Sequence, residues 1–172
     1  MSSKILGGEV CSPDALGLRE IIKLEIWRGG KPEGYSEAPD EERCVNDLVT
    51  NAGRVYLAQR IGANVNSPMA HMAVGTVSTG AALADTAVTG EVKRKALATN
   101  TANPNNVYTA VATFGGAAES LSSVSIVEAG ILNHASSGNG TLFQRVTFAA
   151  VVMADSDLFK MTMMTNVGSN TI

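Results

Sequence analysis

Between residues 107 and 166 the chain is a succession of apolar runs, VYTAVATF, SVSIVEAGILN, TLFQRVTFAAVVM and DLFKMTMMTN, separated by GGAAES, HASSGNG and ADS. The runs are rich in β-branched and aromatic residues and the breaks in small, turn-forming ones, so the pattern predicts consecutive strands joined by short turns. The Ser/Gly/Asn-rich break at 134–140 has the length of a hairpin connection, which makes its flanking strands antiparallel neighbours. Ala154, Asp155 and Ser156 predict a second hairpin by the same reasoning. Upstream, residues 20–28 (EIIKLEIWR) alternate, with Ile22, Leu24 and Ile26 on one face and Lys23, Glu25 and Trp27 on the other, the period of a strand.

The segment after that strand, GGKPEGYSEAPDEE, carries three glycines, two prolines and a cluster of acids, and reads as a loop or linker. Fully extended it reaches about 45 Å, so residues 1–44 are expected to form an N-terminal arm or peripheral hairpin, with the domain proper at 45–172. From Thr50 the period changes. TNAGRVYLAQRIG places Ala52, Val55, Tyr56 and Gln59 at helical intervals, widened by Leu57 and Ile61, with Thr50 as N-cap and Gly62 where a left-handed cap is wanted. Gly53 costs about 1 kcal/mol against Ala, so this helix needs a sheet to pack on. MAHMAVGT and EVKRKALAT read as short strands, the latter with Val92, Arg94 and Ala96 on one face; STGAALADTAVTG between them is a small-residue loop, and NTANPNN is a break. No crossover helix follows Gly62, which excludes a parallel sheet. The expected fold is mainly β: an antiparallel β-sandwich, jelly-roll-like, with one short α-helix and an N-terminal arm.

Composition narrows the function. A chain of 172 residues with 45% hydrophobic and 17% charged residues fits one domain with a real core, yet only 5% are aromatic. A core built largely from small residues points to stabilisation by association with other copies or partners. The net charge of −3 provides no footprint for nucleic acid. Lys93, Arg94 and Lys95 form one short basic run, read either as a solvated strand end or as a contact for an acidic partner surface. The N-terminus lacks the apolar core of a signal peptide and no window reaches the apolar length of a membrane span, so the expectation is a soluble protein made in the cytosol. Cys11 and Cys44 have no metal-ligand spacing, and reduced thiols are the default.

Residues able to do chemistry are thin. His71 alternates within a strand and His134 opens a turn, and no HExxH, CxxC or GxSxG exists for either to join. Asp155 and Asp157 have a spacing that could face a calcium ion, but a turn aspartate capping backbone amides is far commoner. Gly29, Gly30, Gly115 and Gly116 are not followed by the Lys and Ser/Thr of a phosphate loop. Glu128 lies inside an apolar run and needs a cation such as Arg145 on the adjacent strand, since an unpaired buried charge is too costly. Met161, Met163 and Met164 read first as core filling. No catalytic residue, cofactor or metal is expected.

The order of these motifs, LVTNAGRVYLAQRIG, MAHMAVGT, ALADTAVTGEVKRKAL, VYTAVATFGGAAESLSSVSIVEAGILN, TLFQRVTF and DLFKMTMMT, resembles a family of tailed-bacteriophage virion structural proteins over roughly Leu48 to Thr165. The resemblance implies a β-sandwich module used in tail fibres, baseplates or capsid decoration. A compact module with residues 1–44 before the helix and nothing appended suits a decoration (cement) protein, expected as a homotrimer on the outer capsid and partnered by the major capsid protein. A tail, baseplate or fibre-attachment role and a carbohydrate-binding adsorption module are the alternatives. Trp27 and Tyr35, aromatic residues beside the linker, are the expected anchors on the partner.

Overall fold

The computed structural model describes residues 18–30, 38–45, 47–62, 67–102 and 106–167, of which 18–20 are backbone only. Ten strands and one helix follow in the order β1 (Leu18–Trp27), β2 (Glu41–Val45), β3 (Leu48–Val49), α1 (Asn51–Ile61), β4 (His71–Gly75), β5 (Glu91–Ala96), β6 (Thr99–Ala102), β7 (Val107–Gly115), β8 (Ser125–Leu132), β9 (Leu142–Val152) and β10 (Leu158–Val167). They form two antiparallel five-stranded sheets: sheet A with the order β2-β1-β10-β7-β6, and sheet B with the order β3-β9-β8-β4-β5. Only residues 46–47 separate β2 from β3, and only 97–98 separate β5 from β6. Links so short span about the 10 Å between packed sheets, so the outer strands of A and B lie over one another along both sides.

Alternation along each strand builds the core. Ile22, Leu24 and Ile26 of β1, Phe159, Met161 and Met163 of β10, and Ala110, Ala112 and Phe114 of β7 face Met72 and Val74 of β4, Ile126, Ala129 and Ile131 of β8, and Val146, Phe148 and Val151 of β9. The alanines leave room for larger neighbours: the Phe159 ring meets Phe114 at 6.3 Å and Phe148 at 6.0 Å between centroids. Met161 and Met163 are core residues, as expected, while Met164 is half-buried on the opposite face.

Four expectations change. Of the expected N-terminal arm or peripheral hairpin, the described part, residues 18–30 and 38–45, pairs as β1 and β2 and is built into sheet A: β1 is flanked by β2 and β10, its register running from Leu18↔Val167 to Trp27↔Leu158. The acid- and proline-rich linker disguised β2, whose pattern is short and polar. The Ala154–Ser156 turn is not a hairpin, because β9 belongs to sheet B and β10 to sheet A. It is a corner, held by hydrogen bonds from Gly116 N to Asp157 O (3.0 Å) and from Ala117 N to Asp155 O (2.9 Å). Asn100–Ala102, read as part of a break, join Thr99 in the edge strand β6 and pair with β7. Gly62 ends the helix at φ −79°, outside the left-handed region, and its N–H returns to Ala58 O.

Helix α1 is only weakly amphipathic. Thr50 caps it as expected, its Oγ1 accepting from Gly53 N at 3.0 Å, but Val55 and Ile61 are exposed and only Gly53 and Tyr56 are buried. Gly53 is there for proximity: a Cβ would lie 2.1 Å from the carbonyl oxygen of Phe143. Thr50 Oγ1 also donates to Leu142 O at 2.7 Å, so the first turn of the helix is seated directly on β9.

Candidate functional site

The residues that carry the motifs meet on the outer face of sheet B. Glu128 and Arg145, on the neighbouring strands β8 and β9, form the expected ion pair, with Arg145 Nε 2.9 Å and Nη2 2.8 Å from Glu128 Oε2. They are 0% and 1% exposed, respectively. What buries them is the loop 76–90, which crosses the sheet over them. Glu128 accepts from the backbone N–H groups of Val77, Thr89 and Gly90 at 3.3, 3.2 and 2.7 Å. Arg145 donates to Asp85 Oδ2 at 2.8 Å and to Thr79 O at 3.0 Å. Both charges are thereby compensated by ion pairing and by hydrogen bonds, the condition under which burial is tolerated.

Small residues make this crossing possible. A Cβ on Gly75 would stand 2.5 Å from Glu128 Oε1, and one on Gly130 would stand 2.7 Å from Leu142 Cδ1. Val88 from the loop fills the space with Ala73, Leu132 and Leu142 in a second small core. Asn51 N donates to Leu83 O at 2.8 Å, fastening the loop to the start of α1. VGT, ADT, EAG and LFQR are thus parts of one interlock.

The basic run 93–95 is spent within the chain. Lys93 Nζ lies 3.0 Å from Glu119 Oε2, and Lys95 Nζ pairs with Glu119 Oε1 and donates to Thr113 O at 2.9 Å, closing the side of the sandwich at β5. The hydrogen bond from Lys95, reinforced by Lys93, holds the Glu119 carboxyl below the usual carboxylate range. Arg94 points the other way: it pairs with Glu91 at 2.6 Å and donates to the carbonyls of His134, Ser136 and Asn139 at 2.8–2.9 Å, bracing the 133–140 hairpin.

Trp27 is 4% exposed, with Lys160 Nζ 5.9 Å from its ring centroid, so its indole is covered in the chain itself. Tyr35 and Cys11 lie outside the described residues, and Cys44 is exposed on β2. The Asp157 carboxylate is occupied by Ala154 N (3.0 Å), Gly29 N (3.0 Å) and Arg28 Nη1 (2.6 Å), the amide-capping use of a turn aspartate. Burial alone would raise its pKa, but these donors lower it. His71 is partly buried on β4, and desolvation, then Arg94 and His134, lower its pKa. His134 Nδ1 accepts from Ser136 N at 3.0 Å. Among the described residues no cluster of three or more His, Cys, Asp or Glu side chains is poised for a metal, and no helix is long and apolar enough to cross a membrane.

Two features escaped the sequence reading. Asp47 buries Oδ2 beside β9, with no hydrogen-bond partner among the described residues, and this burial pushes its carboxyl up to about 7 against the hydrogen bond that Leu48 N gives Oδ1 and against the nearby Gln144 amide. Thr165 Oγ1 donates to the same Gln144 at 2.8 Å, so a polar seam joins β3, β9 and β10. The second feature is a cleft of about 620 Å³ between α1 and the end of sheet A. Its floor is Tyr56, Tyr108, Met69 and Phe143, with both tyrosines edge-on to Phe143 at 6.5 and 6.2 Å. Arg60, Asn100, Ala102 and Asn106 stand on its rim. The two phenols donate to Ser67 O (3.1 Å) and Met69 O (3.0 Å), which fixes both rings. Burial raises the pKa of Tyr108 further from neutrality. Spacing gave no signal for the cleft, because its lining comes from six separate segments.

Comparison of the chain with protein-family models, with characterised proteins and with solved structures finds no match.

Proposed function

We propose that the chain is a structural protein of a tailed-phage virion, a decoration (cement) protein that binds the outer capsid and stabilises the mature shell. The observation that supports this reading is the interlock. The motifs behind the resemblance are used for holding: Glu128, Arg145 and Asp85 spend their charges on pinning loop 76–90, and Lys93, Arg94 and Lys95 spend theirs on Glu119, Glu91 and hairpin carbonyls. A body braced in this way suits a load-bearing part, in which many modest contacts repeated over a lattice add up. The reading includes a homotrimer, a jelly-roll-like sandwich, an arm upstream of β1, and the major capsid protein as partner, without nucleic acid or membrane. Trp27, covered by its own chain, is the weaker of the two anchors first considered, which leaves Tyr35 and the segment before β1 to carry partner contact.

Quantitative mass spectrometry of purified particles of the encoding phage tests the reading. A decoration protein approaches the copy number of the major capsid protein, and particles depleted of it lose DNA at lower temperature. A handful of copies per particle transfers the chain to the tail or baseplate, the second reading of the same resemblance. Absence from the particle removes both.

A further inference from the structure

We propose that Asn139 is a self-modification site: in the folded chain it loses its side-chain amide and becomes isoaspartate, with the Arg94 guanidinium steering the reaction. The chemistry needs water as its co-reactant and is independent of the virion reading.

Asn139 and Gly140 form the one Asn-Gly pair in the sequence, and the hairpin between β8 and β9 requires its glycine. Gly140 has φ +92°, and a Cβ there would lie 2.6 Å from His134 Cβ and 2.8 Å from Asn133 Oδ1. Such a position selects glycine, the residue whose own nitrogen is least hindered. The turn is also held in one shape. Asn133 Oδ1 accepts from Thr141 N at 2.6 Å, Asn139 N donates to Ser136 O at 3.3 Å, and Asn139 Nδ2 donates to Ser137 O at 3.2 Å. Residues 134–140 are exposed, so water reaches them.

In the first step hydroxide takes the Gly140 N–H proton and the nitrogen attacks Asn139 Cγ. The N–Cγ bond forms, the Cγ–Nδ2 bond breaks, and Nδ2 takes a proton from water and leaves as ammonia. The product is a succinimide, in which the Gly140 nitrogen is bonded to both carbonyl carbons of residue 139. Water then adds to the main-chain carbonyl carbon and its bond to nitrogen breaks, so the chain runs through Cγ and the former main-chain carbonyl becomes a free carboxylate. Addition at Cγ gives ordinary aspartate instead. Arg94 touches the atom that separates these outcomes, its Nη1 donating to Asn139 O at 2.9 Å. Negative charge gathers on that oxygen when the Gly140 N–H ionises, when water adds to the main-chain carbon, and in the isoaspartate carboxylate. A donor placed where charge develops lowers the energy of all three. The Arg94 side chain is only 4% exposed, so its charge is weakly screened. Glu91 takes Nε and Nη2 at 2.8 and 2.6 Å, which aims Nη1 at the hairpin and offsets part of the charge. Nη1 is shared among the carbonyls of His134, Ser136 and Asn139. A carboxylate at residue 139 outcompetes the two neutral carbonyls for it.

The test is incubation of the full chain in neutral buffer beside a synthetic peptide of residues 133–141, followed by mass spectrometry with electron-transfer fragmentation, which separates isoaspartate from aspartate. Conversion is expected at Asn139 ahead of every other asparagine, faster than in the peptide, and with an isoaspartate-to-aspartate ratio about threefold or more above the peptide's. Arg94→Lys, which lacks the planar fork that holds Glu91 and the hairpin together, is expected to bring the ratio down to the peptide's. Glu91→Gln separates steering from bracing. It loosens the clamp on Arg94 but frees its full charge, so steering gives a ratio at or above wild type and bracing alone gives a fall. Ratios are read on protein shown to be folded by circular dichroism; if Arg94→Lys does not fold, the peptide and Glu91→Gln decide. Slower conversion in the folded chain than in the peptide, a peptide-like ratio in the wild type, an unchanged ratio in folded Arg94→Lys or a fall in Glu91→Gln overturns the proposal.

Discussion

At the residue scale, charges and glycines that look incidental in the sequence decide the packing. Removing one partner of a buried ion pair strands the other, so Glu128→Ala is expected to destabilise the fold by about 3–5 kcal/mol in urea titration, and Arg145→Ala by a similar amount. Gly53 separates two rules. Helix propensity favours Gly53→Ala by about 1 kcal/mol, whereas contact with Phe143 O at 2.1 Å opposes it. The contact is expected to win, with a net loss of about 1–3 kcal/mol, as in other overpacked sites. Asp47 makes stability depend on pH. Its folded pKa of about 7 lies above the ordinary 3.8, so between those values the unfolded chain has released a proton that the folded chain keeps. Stability is therefore expected to fall as pH rises from about 4 to about 7 and to level off above, and Asp47→Asn should flatten that slope in denaturant titrations. The Glu128–Arg145 pair was legible because a carboxylate inside an apolar run demands a cation. Asp85 and Glu119 were not, since an acid among small residues reads as a turn former until its distant partner is known.

At the level of elements, strong periodicity was read correctly and weak periodicity was not. β1, β7 and β10 follow their apolar alternation, β4, β5, β8 and β9 fall where runs bounded by turn-forming breaks placed them, and α1 follows its Thr50 cap. β2 and β6 carry ERC and TNT in place of an apolar face, so only their neighbours in sheet A define them as strands. Turn length failed at 154–156 because a three-residue break serves a corner between sheets as well as a hairpin within one. Sheet B has a weak edge. β3 pairs with only Arg145 and Gln144 of β9, and beyond it side chains from the other sheet occupy the strand: Arg43 Nη1 donates to Ala149 O at 2.6 Å and Arg28 Nη1 to Val152 O at 2.7 Å. These arginines act as edge guards, as charged side chains do elsewhere. Replacing both with alanine is expected to shift the chain toward larger species in sedimentation velocity, more so at high concentration, while Lys23→Ala, on the outer face of sheet A and away from β9, should not.

For the whole molecule, the fold class was legible and its boundary was not. Two antiparallel sheets and one helix follow from the run of strands. The place of β1 and β2 in sheet A was not legible, because the linker composition after Gly29 hides the return of the chain to the sheet as β2. Deleting residues 1–45 therefore takes an interior strand out of sheet A. That truncation is expected to abolish cooperative unfolding by circular dichroism and calorimetry, where removal of a detachable arm would leave Tm nearly unchanged. The pairing of β1 with β10 has a further consequence, during synthesis. The ribosome adds roughly 5–20 residues per second, so Ile22, Leu24 and Ile26 wait on the order of ten seconds before Met161 and Met163 emerge to join them. Sheet A cannot close until nearly the whole described chain is available, a topology of long-range contacts that folds slowly. For that interval the nascent chain carries an unclosed apolar ribbon, which makes β1 the natural target for a ribosome-associated chaperone and the first place where overexpression would drive the protein into inclusion bodies.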